Sequence, residues 1–281
     1  MVIHISNLSL DNSFPVAHDD IMEKELHWFL SYRIPEEQRF AIFGSDHFIY
    51  MIGGLLLIIG MSILVRKLNE KQAMIFIRSC ALFLFAFYFV RAYLWYNYHW
   101  SSHILDFVPL HLCILSGFLL PVLVFMENKL LWNLTYSILL PGAVVAIITP
   151  ENTLNFYHAY GWMPMVYYIW HILVIAIPVM QVASGKLRPD IRLFPKVILV
   201  LAGYAGLVYI FNKRMDTNFL YLNNAARGTP LEAFQDWLGN PGYLLPLVAL
   251  VILICFLMFL PWYFLTPKTY VDTPSEKPPS D

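Results

Sequence analysis

Charge is scarce in this chain: Asp, Glu, Lys and Arg make up 13% of its 281 residues, about half of the roughly 25% found in soluble globular domains. With 59% hydrophobic residues and a mean hydropathy of +0.60, that shortage excludes an ordinary soluble globule. The charge that is present is nearly balanced, at −1 overall, and no basic surface of the kind that binds nucleic acid stands out. Cysteine is also rare. Cys80, Cys113 and Cys255 share no Cys-x-x-Cys spacing, so neither a disulfide framework nor a thiolate metal cluster is indicated. Residues 1–20 lack a cationic start followed by an apolar segment, so no cleavable signal peptide is expected and the first helix must direct insertion. No internal repeat relates the two halves, which argues against an inverted-repeat transporter. No His-x-x-x-His pair lies on one helix, which weakens a zinc-site reading, and no cofactor is expected.

Long apolar runs are what the chain does have. They span residues 48–65, 74–94, 104–125, 130–149, 164–183, 194–212 and 242–264, each close to the roughly 20 residues a helix needs to cross about 30 Å of hydrocarbon. The runs are continuous rather than alternating, which excludes a β-barrel. The expected fold is therefore all-α, a polytopic membrane protein with seven transmembrane helices. Cations sort unequally between the two sets of flanks. Arg66, Lys67, Lys71, Arg78, Lys129, Lys186, Arg188, Arg192, Lys196, Lys268 and Lys277 fall on one side, against Lys24, Arg33, Arg39, Arg91, Lys213, Arg214 and Arg227 on the other. The positive-inside rule then puts the N-terminus outside and the C-terminus in the cytoplasm, in a multi-pass protein of the cell membrane. Three parts follow: an extracytoplasmic segment 1–43, a membrane domain 44–265 and a tail 266–281. In the first, residues 20–33 carry Met22, Leu26, Phe29 and Arg33 at helical spacing and predict an interfacial amphipathic helix. The proline-rich, polar tail is expected to be disordered.

Reactive groups inside the third run carry the functional argument. Phe107-Val108-Pro109-Leu110-His111-Leu112-Cys113 places an imidazole and a thiol where polar groups are costly, which marks a functional site. A continuous helix would put Asp106, Leu110, Cys113 and Gly117 on one stripe, with His111 turned away unless Pro109 distorts the turn. His171 lies at a depth similar to Cys113 and is the candidate base. His47, His103, Asp106, His111, Cys113, His158 and His171 all map to the outer half, which points to a polar cavity opening outward. A thiol paired with an imidazole suits acyl transfer through a thioester, the imidazole activating the accepting hydroxyl. Asn218, or backbone loosened by Pro109, would steady the oxyanion, and Arg91 is placed for a phosphate headgroup. The same histidines also suit a metal-dependent intramembrane lipid hydrolase, with Ser116 contributing, or a non-enzymatic transporter or sensor.

The run Pro109-Leu110-His111-Leu112-Cys113, the Pro141-Gly142 pair, Thr149-Pro150-Glu151, Phe156-x-His158, His171 and Asn218-Phe219-Leu220-Tyr221-Leu222 together resemble the YwaF-like bacterial integral membrane proteins. The resemblance covers roughly residues 40–265. That family is similar to the eukaryotic transmembrane protein 164 group, and the resemblance implies a cysteine-dependent acyltransferase acting on phospholipids. It implies Cys113 as the acyl-accepting nucleophile with His171 or His158 as partner, and membrane phospholipids as the binding partners. His111 joins Cys113 and His171 in the expected catalytic set. His47, Arg91, Asp106, His158 and Asn218 form the expected substrate-binding set.

Overall fold

The structure, a computed structural model, describes residues 27–30, 34–98, 104–126, 128–150, 152–226 and 229–265. Among these, six helices are long and apolar enough to cross a membrane. They are α1 (Ser45–Lys67), α2 (Glu70–Tyr98), α4 (Lys129–Ile148), α5 (Trp162–Ala183), α6 (Phe194–Met215) and α8 (Leu244–Leu265). Between them come α3 (Leu112–Leu123), only 12 residues long, and α7 (Pro230–Leu238), a nine-residue helix with Phe234, Trp237 and Leu238 exposed. Of the expected amphipathic helix over 20–33, the turn His27–Leu30 is helical; the rest of it, His103 and the tail 266–281 lie outside the described residues.

The third apolar run is not one helix. Ile104–Phe107 forms a 3-10 turn, Val108 to Leu110 is non-helical, and α3 begins only after His111, which caps it in an extended conformation (φ −72°, ψ 137°). Pro109 accounts for the break: it lacks the N–H that would continue the helix and pushes Val108 toward extended backbone. The single stripe expected for Asp106, Leu110, Cys113 and Gly117 is corrected accordingly. Only Cys113 and Gly117, four residues apart in α3, share a helix face.

The bundle is centred on α5, where 72% of the most apolar window is buried, against 11% for α1, α6 and α8. Helices α1, α2, α3 and α4 pack around it, and its own residues Trp170 to Pro178 are buried without interruption. A helix apolar on all sides belongs in such a centre. Helix α4 carries a π turn at Thr135–Leu139. Pro141 removes the N–H that would bond the carbonyl of Ser137, and the turn widens there. Thr135 and Ser137, both fully buried, bond back to the carbonyls of Leu131 (2.9 Å) and Asn133 (2.8 Å). Helix direction alternates along the chain, so His47, His111, His158 and His171 lie toward one end of the bundle, the histidine end. Arg66, Lys67, Lys71 and Lys186 lie toward the other, the basic end.

His47 ties α1 to α4. It is fully buried; its Nδ1 accepts from the Phe43 N–H at 2.9 Å and its Nε2–H donates to the Ile147 carbonyl at 2.8 Å. Replacing it with Ala leaves the buried Ile147 carbonyl and the part-buried Phe43 N–H unmatched, the first at a cost of about 1–3 kcal/mol. The thermal midpoint of His47→Ala in detergent is expected to fall by several degrees; a midpoint equal to wild type would show that the two groups find other partners.

Candidate functional site

The site is built around the chain reversal ahead of α3. An unwound backbone inside a membrane bundle exposes carbonyls that water cannot reach, and they must find donors within the protein. Three helices supply them. The Tyr88 hydroxyl of α2 donates to the Phe107 carbonyl (2.5 Å), the Tyr204 hydroxyl of α6 donates to the Leu110 carbonyl (2.8 Å), and the Trp170 Nε1–H of α5 donates to the Cys113 carbonyl (2.8 Å). Ser116, fully buried, adds its hydroxyl to the same Cys113 carbonyl at 2.5 Å. The Leu110 N–H closes a tight turn onto the Val108 carbonyl at 2.9 Å. The strand of chain from Phe107 to Cys113 is thus held by side chains from α2, α5 and α6.

Cys113 is the second residue of α3. The first amides of a helix have no partner inside it, and the aligned peptide dipoles give that end positive potential. Its level in the bundle is fixed by Trp170, eight residues into α5, about 12 Å along the axis at 1.5 Å per residue. The indole is keyed into α3 as well: a Cβ added to Gly117 would stand 2.4 Å from its Cη2 and 2.6 Å from its Cζ2. Only glycine leaves room for the ring.

His171 follows Trp170 directly. It is 6% exposed, and its Nδ1 lies 2.7 Å from the Tyr167 carbonyl. Since a carbonyl can only accept, Nδ1 carries the proton and Nε2 the lone pair, the tautomer a general base requires. The Tyr167 ring lies against the imidazole at 4.3 Å, and its hydroxyl is anchored to the Ala146 carbonyl at 2.8 Å. Thiol and imidazole are therefore carried on two packed helices joined at this level by the Trp170 bond.

The remaining expected residues separate. The His111 ring packs against Phe219 (5.1 Å) and Tyr221 (5.6 Å), both from the loop after α6. Leu220 and Tyr221 take left-handed backbone there (φ 58° and 55°), a cost the surrounding structure must hold in place. The buried Asn212 side chain does so, bonding both the N–H (2.9 Å) and the carbonyl (2.8 Å) of Phe219. Asn218, expected to serve an oxyanion, is committed to the same loop: its amide donates to the Asn224 carbonyl and its oxygen accepts from the N–H groups of Asn223 and Asn224. His47, expected among the substrate contacts, has both ring nitrogens engaged by backbone as described above. His158 sits in the loop ahead of α5, where its Nδ1 accepts from the Tyr160 N–H at 3.1 Å and its backbone pairs with Arg39. Arg91 lies half-buried on α2, close enough for its charge to act on Tyr88 and His111. Asp106 belongs to the 3-10 turn. Among the described residues no group of three His, Cys, Asp or Glu side chains is placed to hold a metal ion.

With this geometry in view, comparison with known proteins is decisive on one point. A model of the TMEM164 family matches residues 42–259. The chain belongs to that family. The match runs from just before α1 to within α8, so every element of the clamp around Phe107–Cys113 falls inside it. No curated protein and no solved structure matches the chain.

Sequence reasoning gave no role at the site to Tyr88, Trp170, Tyr204 and Asn212, and placed Gly117 only on the Cys113 stripe. A signal for the first three was present. Tyr and Trp concentrate at membrane interfaces, yet these three lie well inside apolar runs, and a helix broken by Pro109 creates the demand for their donors.

Gly117→Ala is expected to displace the Trp170 ring and cost about 1–3 kcal/mol through overpacking, whereas Gly53→Ala, at a site with open space around it, leaves stability unchanged or slightly raised. Thermal unfolding of the two variants side by side checks this; equal midpoints would remove Trp170 from its keyed position.

Proposed function

We propose that this TMEM164-family membrane protein transfers acyl chains between phospholipids through a thioester on Cys113, with His171 as its acid and base. The observation that carries the reading is the pairing of two preparations at one level of the bundle: a cysteine in the first turn of α3 and, next to the tryptophan that bonds its carbonyl, a histidine held as the Nδ1–H tautomer.

The cycle follows from those groups. His171 Nε2 takes the thiol proton, and the thiolate attacks the carbonyl carbon of a phospholipid ester. The tetrahedral intermediate collapses, the carbon–oxygen bond breaks, and the imidazolium returns its proton to the departing lysophospholipid hydroxyl. A second lysophospholipid then gives its hydroxyl proton to Nε2 and attacks the thioester, releasing the new ester and restoring the thiol. Backbone amides in the first turn of α3 supply positive potential for the oxyanion in both steps. Arg91 meets the headgroup phosphate. His111, wedged by Phe219 and Tyr221, holds the start of α3 rather than moving a proton. The membrane is the cell membrane, entered from the outer leaflet.

Reconstituted in vesicles with a phospholipid labelled in its acyl chain and an unlabelled lysophospholipid, the wild-type protein is expected to yield labelled product. It should also carry one hydroxylamine-sensitive acyl adduct by intact mass. Cys113→Ser loses both; His171→Ala slows transfer by about 100-fold or more, in line with removal of a general base. Transfer and adduct at wild-type levels in both variants would end the reading.

A further inference from the structure

The basic end of the bundle carries a site of a different kind. Where the chain turns from α1 into α2, a cleft of about 250 Å³ opens against the end of α5. Its lining is mixed: the buried Val65 and Ala73 with Met74 and Ala183 stand beside the charged Arg66, Glu70 and Lys186. We propose that this cleft binds the headgroup of an anionic glycerophospholipid of the phosphatidylglycerol type, with the phosphodiester between Arg66 and Lys186.

Three observations support that occupant. The first is charge. Glu70 is the acid on the lip, and it is engaged by the Lys186 ammonium. An ammonium has three donors, so this contact leaves Lys186 two more, and Arg66 makes no hydrogen bond or ion pair among the described residues. The balance of the lip is one net positive charge, with Lys67 and Lys71 flanking it in the same turn. The second is size. At about 250 Å³ the cleft falls below the roughly 300–1,000 Å³ of sites that enclose a drug-sized ligand, so it can take a phosphodiester with its glycerol but not two acyl chains. The third is the exit. Leu64 on α1 and Ile75 on α2, beside the cleft in sequence, are exposed to the extent of 42% and 54%, giving chains a lipid-facing surface to follow. A free anion would use the two cations but gain nothing from the lipid-facing surface beside them.

The turn itself is built to hold its shape. The Asn69 side chain accepts from the Gln72 N–H at 2.9 Å and Gln72 returns a bond to the Asn69 N–H at 3.4 Å, a reciprocal helix cap. A lipid bound there bridges α1 to the segment following α5, the central helix, and its binding to the folded state alone raises stability. The site lies at the opposite end of the bundle from Cys113 and is independent of acyl transfer.

The test is native mass spectrometry and thermal unfolding of the full chain after extraction from vesicles of phosphatidylcholine alone or mixed with equal phosphatidylglycerol. Wild type is expected to retain one phosphatidylglycerol and to unfold at a higher midpoint in the mixed vesicles. Arg66→Gln with Lys186→Gln should reduce retention at least tenfold and abolish the midpoint gain. Glu70→Gln, which frees Lys186, should keep or increase retention and so reports on the site without removing a cation. Lys67→Gln with Lys71→Gln, outside the cleft, should retain the lipid within twofold. Equal loss in that control pair would show diffuse attraction to the turn and overturn the site. A midpoint gain reproduced by inorganic phosphate in phosphatidylcholine vesicles would overturn the lipid as its occupant, and so would retention unchanged in the Arg66/Lys186 variant.

Discussion

The structure around Cys113 depends on one constraint: backbone carbonyls released from a helix at membrane depth must be given donors by the protein. In water such groups are hydrated at little cost; in hydrocarbon each unmatched one costs several kcal/mol. Pro109 breaks the third apolar run, and the carbonyls of Phe107, Leu110 and Cys113 receive bonds from Tyr88, Tyr204 and Trp170. Because the donors come from α2, α6 and α5, the unwound segment joins three helices through its backbone. A break that would destabilise an isolated helix becomes the fastening point of the bundle.

The same break decides where the thiol sits. An unbroken helix over 104–125 would place Cys113 near its middle, where its amide is spent on the preceding turn and the dipole field is weak. Starting α3 at Leu112 moves Cys113 into the first turn, at the positive end of the helix dipole. Trp170 then sets the depth of that turn against α5, and the missing side chain of Gly117 is what lets the indole approach. Helix start, glycine notch and tryptophan donor act as one unit. Each supplies something the other two require.

Much of the fold was legible because its signal is compositional: apolar runs of span length leave few alternatives to membrane helices, and the family resemblance rested on residues inside them and in the loops between. What the runs concealed was the break, since Val108-Pro109-Leu110 is as apolar as its surroundings and hydropathy does not register conformation. Pro109 announced it, yet proline is often accommodated in membrane helices, as Pro178 in α5 and Pro261 in α8 demonstrate. The difference lies in the neighbours. Pro178 sits in a helix buried on all sides, where packing holds the regular turn, whereas Pro109 has Tyr88 and Tyr204 nearby to satisfy an irregular one. Neighbours across helices are beyond what spacing along one chain can supply. The short α7 was hidden for a related reason: nine residues with acidic and apolar faces do not rise above the polar loop that contains them.

The histidines show how geometry sorts residues that look alike in sequence. All four described at this end are candidate functional groups by position, with His171 the expected base. Both nitrogens of His47 meet backbone groups from different segments, Phe43 and Ile147, so the ring is consumed by joining α1 to α4. His158 accepts from the Tyr160 N–H two residues on, a turn contact that uses Nδ1 as the acceptor. The His111 ring lies among Phe219 and Tyr221 at the cap of α3, where surrounding rings favour an uncharged, space-filling role. His171 alone donates through Nδ1 to a carbonyl of its own helix. That bond orients the ring without tying two helices together, and it leaves the basic nitrogen on the far edge of the imidazole. The Nδ1–H tautomer of His171 is the one that its proposed role as base calls for, on the helix that the Trp170 bond joins to α3.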